Sequence, residues 1–146
     1  MTRVDFHILP SGGKVERERW ACRLVAKAWR QGHRVYIQTG SPAETKRIDE
    51  LLWTFRDISF LPHGVSGTPG AGNVSVVVGH DEAPPEEHEV LVNLAHPVPL
   101  FFSRFERVLE IVAPDDGAKA TARERFRFYK ERGYPLESHN IDTNND

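Results

Sequence analysis

The chain has 146 residues, a formal net charge of −2 and a single cysteine, and 39% of its residues are hydrophobic. This length fits one domain with one core, and the lone Cys22 excludes an intramolecular disulfide bond. The near-neutral charge argues against a protein that coats nucleic acid. The lack of a long apolar run or an apolar leader predicts a cytoplasmic protein without a membrane span or signal peptide.

Strand and helix patterns alternate in the first half of the chain. Residues 3–9 have the alternating pattern of a strand, and apolar residues recur at helical spacing over residues 15–31. A second strand is predicted at residues 33–38. The capping-box sequence SPAE at residues 41–44 then predicts a helix over residues 42–53.

The second half of the chain is richer in strands. Residues 74–79 and 90–94 are mostly β-branched or aliphatic, which is typical of strands buried on both faces. The remaining predicted elements are a short strand at residues 58–61, a glycine-rich loop at 63–73, a short helix at 100–106, a strand at 108–112 and a helix at 117–134.

This order of elements predicts an α/β domain of three layers, with a mostly parallel sheet and helices on both faces. We expect residues 1–135 to form this single domain and residues 136–146 to form a polar C-terminal tail.

Sequence signatures of cofactor binding are weak. Residues 11–14, Ser-Gly-Gly-Lys, follow the first strand, but they do not form a Walker loop because Val15 stands where that motif needs Ser or Thr. The histidines lack the short spacings of metal ligands on one element, and Cys22 lies among apolar helix neighbours as a core residue. We therefore predict no catalytic residue, no metal, no cofactor and no small-molecule substrate.

The last predicted helix has the most distinctive surface. At helical spacing, Lys119, Arg123, Phe126 and Lys130 fall on one narrow stripe, which places an aromatic ring among cations. Residues 117–134 contain six Lys or Arg against two Glu. Three interpretations fit this helix: docking of an anionic partner with an apolar end on the stripe, direct binding of single-stranded nucleic acid by residues 125–130 (RFRFYK), or an ordinary solvated helix face.

A second segment brings large apolar side chains together around the predicted strand at residues 58–61. These side chains are Trp53, Phe55, Phe60, Leu61 and Pro62. Two interpretations remain open: they form the edge of the core, or they form a patch that binds a partner at the edge of the sheet.

Four sequence elements, in this order, resemble the chi subunit family of bacterial DNA polymerase III. They are FHIL in the first strand, KAWRQGHRVYI after it, DELLWTF followed by SFLPHG, and ARERFRFYKERGY in the last helix. The resemblance spans almost the whole chain. It implies a nucleotide-binding-like (Rossmann-like) fold without a phosphate loop. It also implies a non-enzymatic accessory subunit of the clamp-loader complex that reaches DNA only through the complex.

The resemblance further implies two binding sites on different faces. One takes the acidic C-terminal tail of single-stranded DNA-binding protein, which ends in Asp-Asp-Asp-Ile-Pro-Phe. This tail site falls on Lys119, Arg123 and Phe126, with Lys130 beside them and Val112 as an apolar wall. The other site takes the psi subunit or another clamp-loader subunit, and it falls on Trp53, Phe60, Leu61 and Pro62. Phe126 stands where the family often has Tyr.

Overall fold

The computed structural model describes residues 1–55 and 61–141, and within them the chain forms one sheet of seven strands. The strands are β1 (Arg3–Ile8), β2 (Val35–Gln38), β3 (His63–Val65), β4 (Val76–Gly79), β5 (Val90–Asn93), β6 (Arg107–Val112) and β7 (Leu136–Asn140). They lie in the order β3-β4-β2-β5-β6-β1-β7, and all neighbours are parallel. The predicted parallel sheet is thus confirmed.

Three α-helices flank the sheet in the described part of the chain: α1 (Lys14–Arg30), α2 (Pro42–Thr54) and α3 (Asp116–Glu131). The predicted capping box is present at α2, where the Ser41 hydroxyl accepts a hydrogen bond from the Glu44 N–H. Crossovers between parallel strands are right-handed. Because the chain moves toward the β3 edge through α1 and α2 but toward the β7 edge through α3, α3 lies on the opposite face.

Two apolar clusters, one on each face, join the three layers. The first packs α1 and α2 against the sheet through residues such as Val25 and Ile48. The second packs α3 against it through Tyr129. Successive residues of β4 enter different clusters, Val76 the first and Val77 the second, which explains why this strand is β-branched on both faces.

Cys22 is one of the buried residues of the first cluster. Burial, with a smaller contribution from the charge of Glu18, raises the pKa of its thiol to about 12. A thiol that stays protonated is a poor nucleophile. The burial of Cys22 confirms the prediction of a core residue. Among the described residues, no helix is both long and apolar enough to cross a bilayer.

Two segments of the middle of the chain differ from the sequence prediction. Residues His63–Val65, predicted as part of a glycine-rich loop, form β3 because their backbone pairs with β4. The predicted helix at residues 100–106 is a single 3-10 turn at Phe102–Arg104. The predicted strand at residues 58–61 lies outside the described residues, apart from Leu61.

The C-terminal segment also differs from its prediction. Leu136–Asn140, which the sequence assigns to the polar tail, forms β7 and pairs with β1 from Val4 to Ile8. The ordered domain therefore continues at least to Asn140. Edge strands with an exposed face carry polar side chains, so the composition of this strand concealed it.

Candidate functional site

A buried polar network fixes the inward face of α3. Arg125 Nε lies 2.9 Å from Oε1 of Glu110 in β6, and the Tyr129 hydroxyl donates to Oε2 of the same carboxylate at 2.8 Å. Asn93 Nδ2 of β5 also donates to Oε2, at 3.0 Å. All four residues are buried. The carboxylate thus joins two strands and two turns of the helix.

This network determines how α3 is rotated about its axis. A rotation would leave the Glu110 charge buried without its partner, which is costly in a protein interior. Burial and the neighbouring Glu110 carboxylate raise the pKa of Tyr129, so its hydroxyl stays protonated as a donor. Sequence analysis missed this network. The available signal was Glu110 itself, a carboxylate within the apolar run VLEIV.

The rotation of α3 presents the predicted stripe to solvent. Lys119, Arg123 and Lys130 are exposed, and Phe126 is half-buried. The Phe126 ring packs on the ring of Phe6 in β1, with centroids 5.5 Å apart and planes at 56°. Within the described part of the chain, no hydrogen bond or ion pair involves the side chains of these three cations. Their charges are therefore available to a ligand beside an aromatic edge.

Two residues near the stripe lie deeper than the sequence suggested. Arg125, one of the six cations of residues 117–134, turns inward to Glu110. Five exposed cations therefore remain in these residues, together with the two acidic residues Glu124 and Glu131. Val112 is only 3% exposed and packs beneath α3 in the same cluster as Phe6. Val112 therefore supports the stripe from below and does not line it.

The predicted apolar patch divides between surface and core. Trp53, at the end of α2, is 59% exposed, and its ring lies 4.3 Å from the ring of His63 in β3. Pro62 is exposed, whereas Leu61 is only 2% exposed and belongs to the first apolar cluster. Phe60 lies outside the described residues. Among the described residues of this patch, Trp53 and Pro62 lie at the surface, and the partly buried Phe55 packs against the first cluster.

His63 holds the Trp53 ring in a defined place. Its Nε2 lies 3.1 Å from Oδ1 of Asp49, and its Nδ1 lies 2.9 Å from the carbonyl oxygen of Leu61. Because both ring nitrogens are bonded, the imidazole is a fixed support for the indole. Trp53 thus presents a large, oriented aromatic surface to solvent.

The stripe and the Trp53 surface lie far apart. The stripe is on α3, which covers β6 and β7, whereas Trp53 lies on α2 near β3, at the other edge and on the other face. Six strand spacings separate the outermost strands, which is roughly 29 Å. The two surfaces therefore do not overlap.

The crevice beyond the carboxyl ends of the strands is where α/β folds commonly bind nucleotides. Here it has a volume of about 550 Å³ and is lined by side chains that include Lys14 and Arg17. Arg17 Nε donates to the carbonyl oxygen of Ile111 at 2.9 Å, and Nη1 lies 3.4 Å from that of Leu94. The guanidinium of Arg17 is therefore hydrogen-bonded to the backbone at the ends of β5 and β6.

Comparisons with known proteins agree on one family. The family model described as DNA polymerase III chi subunit, HolC, matches residues 1–137. The DNA polymerase III subunit chi of Pseudomonas aeruginosa is 40% identical over 141 residues, covering 97% of this chain and 98% of that protein. The subunit of the same name from Haemophilus influenzae is 31% identical over 139 residues, covering 94% and 96%. That from Escherichia coli is 28% identical over 141 residues, covering 93% and 96%.

Proposed function

Because the chain belongs to the DNA polymerase III chi subunit family, we propose that it links the clamp-loader complex to single-stranded DNA-binding protein. In this proposal it is an accessory adaptor without an active site of its own. It docks the acidic C-terminal tail of the binding protein on α3. The observation that carries the proposal is the stripe itself, in which the exposed Lys119, Arg123 and Lys130 share one side of the helix with the half-buried ring of Phe126.

The chemistry of the stripe suits a tail that ends in Asp-Asp-Asp-Ile-Pro-Phe. The guanidinium of Arg123 offers a planar pair of donors for the terminal carboxylate. Lys119 and Lys130 lie on the same side of the helix and offset the aspartates. The apolar Pro-Phe end packs against the exposed edge of Phe126, which Phe6 and Val112 support from below.

The second surface completes the adaptor. We assign the psi subunit, or another clamp-loader subunit, to Trp53 and Pro62, since a fixed and exposed indole is a common anchor in protein interfaces. Leu61 supports this surface from the core, and Phe60 belongs to the same assignment. Separation of the two surfaces on opposite faces lets one chain hold both partners, and DNA is then reached through the complex.

The tail site is tested by isothermal titration calorimetry with a peptide that ends in Asp-Asp-Asp-Ile-Pro-Phe. Arg123→Ala removes a charged hydrogen bond, so we expect binding to weaken by about 1.5–3 kcal/mol, roughly 10-fold to 150-fold. Arg19→Ala is the matched control, because it removes one exposed cation from α1 on the other face of the sheet. Equal affinities of wild type and Arg123→Ala would contradict the proposal.

The alternative function is direct binding of single-stranded nucleic acid by residues 125–130. Stacking of bases requires exposed aromatic rings. Tyr129 is fully buried and Arg125 is only 8% exposed. One aromatic ring and one cation of this segment are therefore unavailable to a nucleic acid. Retention of a naked oligonucleotide in a gel shift at physiological salt, without any partner protein, would favour this alternative over the adaptor.

A further inference from the structure

The face of β1 and β7 opposite α3 carries polar side chains that the proposed function does not use. On this side α1 packs over β2, β5 and β6. Next to it lies a cleft of about 800 Å³, whose lining includes Arg3 and His7 of β1 and Arg107 of β6. The cleft therefore borders this part of the sheet.

The strand register places four potential metal ligands together on this face. Asp5 lies directly opposite Glu137, and His7 lies directly opposite His139. Residues two apart on a strand point to the same side, so two carboxylates and two imidazoles share one face. Asp5 and His139 are 134 positions apart in the sequence, which is why no local motif signals this cluster.

Three ligand atoms of the cluster are close together. His139 Nε2 lies 3.2 Å from Oδ1 of Asp5 and 3.7 Å from Oε2 of Glu137, and all three atoms lie within 4.8 Å of one another. Zinc bonds to such nitrogen and oxygen atoms at about 2.0–2.2 Å, which puts neighbouring ligands of a tetrahedral ion about 3.3–3.6 Å apart. The separations that involve His139 are close to this value.

We propose that Asp5, Glu137 and His139 form a binding site for a divalent transition metal ion of the zinc type. One imidazole and two carboxylates are a ligand set that such ions accept, and water fills the fourth position. The ion takes the place of the proton between His139 Nε2 and Asp5 Oδ1, so binding requires a neutral imidazole and an ionised carboxyl group.

The surroundings of these ligands fit that role. Arg107 Nε binds the other oxygen of Asp5, Oδ2, at 2.6 Å, which leaves Oδ1 for the ion and fixes the carboxylate plane. The His7 ring stacks on the His139 ring, with centroids 5.0 Å apart and planes at 23°, and so orients it. His139 and Glu137 side chains are 41% and 63% exposed, which gives the ion a path to the site.

The same surroundings limit the affinity and define the consequence of binding. Arg107 and Arg3 lie near Asp5 and offset part of the negative charge, so the ion binds more weakly than at a four-ligand structural zinc site. A bound ion links the buried strand β1 to the edge strand β7. Since β7 directly follows α3, the ion stabilises the C-terminal end of the domain.

The test uses the full chain without an affinity tag, cleared of metal with a chelator. Calorimetric titration with ZnCl2 should give one ion per chain, and excess ZnCl2 should raise the unfolding temperature. Each ligand variant, His139→Ala and Glu137→Gln, should weaken zinc binding at least about tenfold. His96→Ala is the control, because it removes an exposed imidazole outside the cluster and should leave the affinity unchanged.

Glu137→Gln keeps the proposal testable if His139→Ala weakens the pairing of β7, because Glu137 is the most exposed of the three ligands. The proposal is overturned if ZnCl2 produces neither heat nor a thermal shift. It is also overturned if both ligand variants bind zinc as tightly as the wild type, or if the His96→Ala chain alone loses binding.

Discussion

Arg125 of α3 and Glu110 of β6 form a buried ion pair, with 2.9 Å between Nε and Oε1, and this pair decides which side chains of α3 face solvent. The two residues also satisfy each other's charge, so neither is tolerated alone in the interior. Because of this inward contact, the stripe of Lys119, Arg123, Phe126 and Lys130 lies on the solvent side of the helix.

We expect Arg125→Met to lower the free energy of unfolding by about 3–5 kcal/mol, because it leaves the Glu110 carboxylate buried without its cation. Adding Glu110→Gln should recover part of that loss, since the amide oxygen still accepts hydrogen bonds without a buried charge. Urea unfolding of the wild type, both single variants and the double variant measures the coupling. Strictly additive losses would show that the pair is not coupled.

Phe126 should contribute to tail binding through its ring and not through a polar group. Phe126→Tyr preserves the ring, so we expect peptide affinity to be retained, whereas Phe126→Ala should weaken it about tenfold. Because the ring also packs on Phe6, Phe126→Ala should cost about 1–3 kcal/mol of stability. Calorimetry with the tail peptide, on variants shown to be folded by circular dichroism, provides the measurement. An alanine variant that is folded and binds normally would contradict this role.

Trp53 should be dispensable for folding and for tail binding. Its side chain is 59% exposed, so Trp53→Ala should change the free energy of unfolding by less than about 1 kcal/mol. The same variant should lose affinity for the psi subunit while its affinity for the tail peptide stays at the wild-type value. Arg123→Ala should show the reverse pattern. If either variant lowered the affinity for both partners equally, the two surfaces would not be independent.

Glu87 should make stability depend on pH in an unusual direction. Burial raises the pKa of its carboxyl group and outweighs the opposing effect of Arg34, whose Nη2 lies 2.9 Å from Oε1. Glu86 and Glu89 raise the pKa further. The folded state therefore binds this proton more tightly than the unfolded state. The resulting penalty is complete above the folded-state pKa, and it is relieved as pH falls toward the unfolded value.

The check is urea unfolding of the wild type and Glu87→Gln at several pH values between about 4 and 7, around the normal glutamate pKa. Glutamine does not titrate, so the difference between the two proteins isolates this group. As pH falls, the wild type should gain stability relative to the variant. A constant difference, or a relative loss for the wild type, would contradict the assigned direction.

The sequence predicted most elements because their signals are local. Helix α1 follows from apolar residues at helical spacing, and α2 from a capping box whose partners are three residues apart. The stripe on α3 also required only a 3.6-residue period, since Lys119, Arg123 and Phe126 belong to the same helix. Each of these inferences depends on neighbours within one or two turns of chain.

Contacts between distant segments were decided only by the tertiary structure. The sequence does not predict that Arg125 turns toward Glu110, because a cationic side chain on a helix is usually exposed to solvent. It does not distinguish Leu61 in the core from Trp53 at the surface, since both are apolar. Strand β7 forms by pairing with β1, which is distant in the sequence, and this pairing also brings Asp5 next to Glu137 and His139. Burial and strand register depend on how the whole sheet assembles, so a local sequence pattern does not predict them.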